Sequence, residues 1–149
     1  MRVVSVIGDG RAPEGSSLYE TAYQAGKLIA EKGYILVTGG LFGVMEGASK
    51  GAKEGGGITV GILPHYDTVS NPYVDIKIPT GLGHARNVLV VSSASSVVVA
   101  IGGSFGTLSE IGHALKLGKK VVAFRSWDLG EFKNYESPNE FINCLNSVL

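Results

Sequence analysis

Short runs of uninterrupted apolar residues alternate along this chain with longer stretches whose apolar positions recur at helical spacing. Val3–Ile7, Tyr34–Thr38, Ile58–Leu63, Val97–Ala100 and Lys120–Phe124 read as strands, mostly too apolar to be half exposed, as in a parallel sheet. Tyr73–Ile78 alternates and predicts a shorter, more exposed strand. Ser17-Leu18-Tyr19-Glu20 reads as a capping box opening a helix that Gly33 stops. A second helix is expected from about Gly43, with Val44, Ala48 and Ala52 on one face. Gly47 and Gly51 would let that helix approach another backbone closely. Further helices are predicted from about Leu82 to Ser93 and from Thr107, where Leu108, Ile111 and Leu115 share a face. Ser137, Pro138 and Glu140 stand as N-cap, first-position proline and third-position acid of a C-terminal helix. Strand and helix alternate throughout. The expected fold is therefore α/β, a Rossmann-like three-layer sandwich with a mainly parallel sheet and helices on both faces, in one domain over residues 1–149.

Composition narrows the setting. Hydrophobic residues at 44% and charged residues at 17% exclude a disordered chain, and a formal net charge of zero gives no electrostatic case for nucleic acid or an anionic membrane as partner. The single cysteine, Cys144, cannot form an internal disulfide and fits a reducing compartment. No signal-peptide pattern opens the chain and no apolar run reaches membrane-spanning length, so a cytoplasmic location is expected. Low charge and 22 glycines point to surface covered in a homo-oligomer, with the Gly/Ala-rich helices and Val88–Val91 as a candidate symmetric interface.

Candidate chemistry lies in three glycine-rich loops that follow strands: Gly8–Gly15, Thr38–Gly43 and Gly102–Thr107. After Val97–Ala100, Gly102 and Gly103 turn the chain into a helix. Such a turn leaves unpaired N–H groups converging at the positive end of the helix dipole, which is an anion site. The loops do not fit a dinucleotide: Pro13 stands where a third glycine is needed, and Thr38 and Gly39 stand where an acid would take a ribose hydroxyl. No Walker A lysine, HExxH pair or Cys/His cluster is present, so no metal is expected. What remains suits a monophosphate or similar small anion, with no cofactor required.

Three segments then carry a resemblance. Thr38-Gly39-Gly40-Leu41-Phe42-Gly43-Val44-Met45-Glu46-Gly47-Ala48, Gly83-His84-Ala85-Arg86-Asn87 and Gly102-Gly103-Ser104-Phe105-Gly106-Thr107-Leu108-Ser109-Glu110 resemble the LOG-like superfamily, once described as lysine decarboxylases. Its LOG branch comprises cytokinin riboside 5′-monophosphate phosphoribohydrolases with a PGGxGTxxE motif. A neighbouring branch, which includes molybdenum-cofactor carrier proteins, is resembled more closely through Ala85-Arg86-Asn87 and Ile101-Gly102-Gly103. The resemblance implies a homo-oligomer, a dimer or tetramer, and Arg86 and Glu110 as catalytic residues. It implies Gly8, Gly39, Gly40, Gly43, Met45, Gly102, Gly103, Ser104, Phe105, Gly106 and Thr107 around the ligand. Ile101 stands where the hydrolase motif has proline, and Asn87 where a lysine commonly follows the arginine.

Each residue also has a plainer reading. Thr107-Leu108-Ser109-Glu110 is itself a capping-box spacing, in which Glu110 would bond back to Thr107. Arg86 reads as a solvated helix charge, His84 as surface, and His113 as a helix histidine one turn from Glu110. Asp9 and Arg11 are ligand contacts or a surface turn; Trp127 stacks on a base or pterin, or packs; Glu46 favours a helix dipole. Three functions remain open. They are a carrier of a phosphorylated, nucleotide-like ligand such as the molybdenum cofactor, a nucleoside 5′-monophosphate phosphoribohydrolase, and a ligand-sensing module. A lysine decarboxylase is not expected.

Overall fold

The computed structural model describes residues 2–149. Seven strands form one sheet in the order β4-β3-β2-β1-β5-β6-β7, and every pairing is parallel. They are β1 (Val3–Gly8), β2 (Ile35–Thr38), β3 (Thr59–Leu63), β4 (Ile76–Pro79), β5 (Val97–Ile101), β6 (Lys120–Phe124) and β7 (Asn134–Tyr135). Central β5 is buried at all five positions, as its unbroken apolar run requires. β4, an edge strand, is exposed throughout.

Helices cover both faces. On one face α1 (Ser17–Glu31), α2 (Val44–Glu54) and α5 (Pro138–Val148) pack over Val4, Val6, Leu36, Val99 and Phe124. On the other, α3 (Asn87–Ser92) and α4 (Phe105–Lys116) cover Ile7, Val37, Val98, Ala100 and Val121. Helices α1 and α2 meet backbone to backbone. A Cβ on Gly51 would stand 1.9 Å from the Tyr23 carbonyl oxygen, and one on Gly47 would stand 2.7 Å from that of Tyr19. The close approach expected of these two glycines is thus inside the protomer. The small residues of α1 and α2 are used on each other and do not present an outer interface. Val90 and Val91 are likewise buried in the core, leaving only Val88 and Leu89 of the expected oligomer stretch exposed.

Element ends depart from the sequence pattern in five places. The strand expected over Tyr73–Ile78 is β4 over Ile76–Pro79, with Tyr73 in the turn that precedes it. The α1 cap is Ser16, whose hydroxyl accepts from the Tyr19 N–H; Ser17 is already helical and its hydroxyl accepts from Arg125 Nη1. The stretch from Leu82 to Ser93 is a 3₁₀ turn over Gly83–Arg86 followed by the short α3. Helix α4 begins at Phe105, so Thr107 lies within its first turn and is no cap. The chain adds a two-residue β7 beyond β6, too short to show as a periodic run. The C-terminal helix starts as read, with Ser137 accepting from the Glu140 N–H and Pro138 in the first turn.

Candidate functional site

Strand order fixes where a ligand can sit. Strands β2, β3 and β4 run outward on one side of β1, and β5, β6 and β7 on the other. The connections leaving β1 and β5 therefore diverge and open a crevice at the carboxyl ends of the strands. The loop after β1 and the turn after β5 meet there: the Asp9 N–H donates to the Ile101 carbonyl at 3.0 Å, and the Val44 N–H to the Asp9 carbonyl at 2.8 Å. All three glycine loops thus converge.

Between them lies a small cavity of about 130 Å³. Gly8, Gly39, Met45, Arg86, Asn87, Ser104, Gly106, Thr107 and Glu110 line it, with Val6 and Ile7 at its base. A second, open cleft of about 500 Å³ is lined by Asp9, Gly10, Arg11, Gly103 and Ser104, so Ser104 borders both. Most of the residues that the resemblance implied stand on one of these two walls. Gly40, Gly43, Gly102 and Phe105 line neither. A Cβ on Gly40 would meet Leu63 and one on Gly43 the backbone of Asp9 and Gly10, so both serve close packing of the second loop. Gly102, at φ 59°, makes the turn itself, and Phe105 projects outward, 78% exposed.

Arg86 is buried, at 5% exposure, and is no solvated helix charge. The 3₁₀ turn delivers it beneath the second loop, where Nε donates to the Ile62 carbonyl at 2.9 Å, Nη2 to the Gly39 carbonyl at 3.4 Å, and Nη1 to the Asn87 side-chain oxygen. Gly39 is required for this: a Cβ there would lie 2.9 Å from Nη2 and 3.0 Å from the Met45 sulfur. Among the described residues, no nitrogen of Arg86 lies within 4.0 Å of a carboxylate oxygen. A buried guanidinium held by neutral oxygens keeps its charge uncompensated. That charge is available to an anion.

Glu110 faces the same cavity from the second turn of α4. With the helix starting at Phe105, its carboxyl is free of the capping role. Burial pushes its pKa up to about 8, against the opposing pull of Arg86. The acid is therefore largely protonated at neutral pH, a hydrogen-bond donor where an ionised carboxylate would repel an anion. Burial lowers the Arg86 pKa in turn, with Glu110 opposing.

The turn after β5 supplies the third component. Gly102 and Gly103 take φ values of 59° and 103°, and Ser104 caps α4 without a side-chain hydrogen bond. Among the described residues, no acceptor meets the N–H groups from Gly103 through Thr107. Asn87, which stands where the family commonly has lysine, lines the cavity and accepts from Arg86 through its side-chain oxygen, a structural role that the departure alone did not disclose.

Comparison with known proteins settles the kinship. The sequence profile of the SLOG cluster4 family matches residues 1–147. The chain belongs to that family. It is 46% identical over 146 residues to an uncharacterized protein of Archaeoglobus fulgidus, covering 97% of this chain and 95% of the other. Among solved structures it is similar to the molybdenum cofactor binding protein of Rippkaea orientalis (40% identity, TM-score 0.84, 99% of this chain and 96% of that one). It is also similar to the molybdenum cofactor carrier protein of Chlamydomonas reinhardtii (36% identity, TM-score 0.85, 99% and 98%).

Asp9 and Arg11 stand on the wall of the open cleft, whereas the remaining candidates lie away from both spaces. His84 is exposed on the 3₁₀ turn. Glu46 accepts from the Tyr19 hydroxyl at 2.7 Å, joining α2 to α1. The Asp9 carboxylate accepts from the Arg11 N–H at 2.8 Å, making a local turn at the edge of the open cleft. Trp127 packs on Phe105, ring centroids 6.0 Å apart, behind the glycine turn. Among the described residues, no group of three or more His, Cys, Asp and Glu side chains is arranged to hold a metal ion, and no helix is long and apolar enough to cross a membrane.

Proposed function

We propose that the protein binds a phosphorylated, nucleotide-like ligand and serves as a carrier, with the molybdenum cofactor as its cargo. The observation that carries this reading is one small cavity holding an uncompensated Arg86, a largely protonated Glu110 and the free first-turn amides of α4. Each is a donor, and together they suit an anion rather than a neutral solute. About 130 Å³ accommodates a phosphate and not a whole pterin or nucleoside, whose pockets run to about 300 Å³ and more. The adjoining cleft at Asp9, Arg11 and Gly103 has room for the remainder. The carrier and binding proteins similar along nearly the full chain support the same cargo. The test is binding of anaerobically prepared molybdopterin: saturable binding, weakened by competing phosphate, supports the reading.

A second reading is favoured by Glu110 itself. In a phosphoribohydrolase, Arg86 and the α4 amides would hold the 5′-phosphate while an acid acts at the N-glycosidic bond. A carboxyl with its pKa near 8 is suited to give a proton to the departing base at neutral pH. Water then attacks the anomeric carbon and returns a proton to the Glu110 carboxylate, yielding base and ribose 5-phosphate. Release of adenine from AMP, lost in Glu110→Gln, would support hydrolysis. Absence of release across a panel of nucleoside monophosphates leaves the carrier. We further propose assembly into at least a dimer, resting on the exposed Ile76, Ile78, Leu82, Val88 and Leu89.

A further inference from the structure

The turn that presents the free amides is itself held from behind. The Ser126 hydroxyl donates to the Gly102 carbonyl at 2.7 Å, and the Trp127 indole N–H donates to the Ser104 carbonyl at 2.9 Å. In a trans peptide the carbonyl and the following N–H point in opposite directions. Drawing the Gly102 oxygen toward Ser126 turns the Gly103 N–H to the other side, where Gly103 lines the open cleft. Drawing the Ser104 oxygen toward Trp127 and the Leu108 N–H likewise turns the Phe105 N–H away from those two donors and fixes the first peptide of α4.

The segment making these bonds is anchored in turn. Arg125 adopts φ 45°, a left-handed conformation unfavourable for a non-glycine residue, which redirects the chain as it leaves β6. The Arg125 N–H donates to the Tyr135 carbonyl at 2.9 Å. Asn134 clamps Ser126 on both main-chain sides: its side-chain oxygen accepts from the Ser126 N–H at 3.0 Å and its amide donates to the Ser126 carbonyl at 2.9 Å. This gives the two-residue β7 a purpose beyond covering the sheet edge.

We propose that Ser126 and Trp127 are positioning residues that lock the peptide planes of the glycine turn, presenting the Gly103 N–H to the open cleft and fixing the start of α4 whose Gly106 and Thr107 border the anion cavity, with Asn134 of β7 holding them in place. A turn with two consecutive positive-φ glycines is otherwise free to rotate its peptide planes. Rotation would disperse the donors that the site needs converged. This inference rests on the anion-binding reading for its consequence, but not for its geometry.

The test therefore has two arms. In the ligand-free protein, nuclear magnetic resonance follows the Gly103 and Phe105 amides in the wild type, Ser126→Ala, Ser126→Thr and Trp127→Phe. The phenylalanine keeps an aromatic ring on Phe105 and removes only the indole donor. The proposal expects shifted and more mobile amides at these two positions in Ser126→Ala and Trp127→Phe, wild-type behaviour in Ser126→Thr, and unchanged amide spectra in β1 and β2. Unchanged Gly103 and Phe105 amides in both disrupting variants overturn it, whatever the protein binds. In the second arm, inorganic phosphate is titrated while Trp127, the only tryptophan of the chain, reports by fluorescence in the tryptophan-bearing forms and amide shifts report in Trp127→Phe. Each disrupting variant should bind phosphate about five- to tenfold more weakly, the worth of about one hydrogen bond. Wild-type affinity in both, with the wild type itself binding, refutes the positioning role and leaves the anion site standing. A wild type that ignores phosphate but shows the amide changes refutes the anion-binding reading and leaves the support of the turn intact.

Discussion

Glu110 links the site to pH through a single group. Its folded-state pKa, pushed up to about 8 by burial, lies above its unfolded value, so the folded protein binds the proton more tightly. The associated stability is fully present below the unfolded pKa and is lost as pH rises through about 8. Glu110→Gln cannot ionise. Urea melts should show it close to wild type at about pH 5 and roughly 2–4 kcal/mol more stable than wild type at about pH 9. Anion affinity in the wild type should fall over the same rise, because the carboxyl changes from donor to repelling charge, and the glutamine variant should lose that dependence. Arg86 makes the opposite kind of prediction. Arg86→Met leaves the Ile62 and Gly39 carbonyls without their donor, and should destabilise by about 1–3 kcal/mol by denaturant melt and remove phosphate binding.

At the scale of elements, backbone contact separates two glycines that look alike in sequence. Gly51 and Gly112 are both helical, yet a Cβ on Gly51 would collide with the Tyr23 carbonyl while one on Gly112 meets nothing within 4 Å. Gly51→Ala should therefore cost about 1–3 kcal/mol or more by driving α1 from α2. Gly112→Ala should stabilise by about 0.5–1 kcal/mol, since only helix propensity changes. Thermal denaturation of the pair checks both. The strands were legible because burial on both faces writes an unbroken apolar run, as in Val97–Ile101. Element ends were less so, because two readings shared one spacing. Ser16 and Ser17 compete for the α1 cap, and Thr107 with Glu110 imitates a capping box inside a helix that Gly103 and Ser104 have already started. β7 was invisible because its hold comes from Asn134 bonding Ser126, a contact eight residues distant, and not from periodicity.

For the whole molecule, the reversal of strand order between β1 and β5 brings three separate glycine loops to one cavity. The sequence pattern predicts alternation of strand and helix but not that order, so convergence of Arg86 with Glu110 rested on the family resemblance until the fold placed both on one wall. The plain reading of Arg86 as a surface charge failed because its acceptors, at Ile62 and Gly39, are main-chain atoms that no side-chain pattern displays. Exposed apolar residues on β4 and around α3 predict self-association. Light scattering at micromolar concentration should give at least twice the chain mass, and Leu89→Lys should lower it; a monomeric wild type would contradict the assembly. The central claim is that this cavity captures the phosphate of a larger ligand. Equilibrium dialysis of wild type and Arg86→Met against anaerobic molybdopterin, with inorganic phosphate and adenosine as competitors, tests it most directly. The account predicts saturable binding of one ligand per chain, displaced by phosphate, not by adenosine, and lost in the variant. Binding that is absent from the wild type, or indifferent to both phosphate and Arg86, would contradict it.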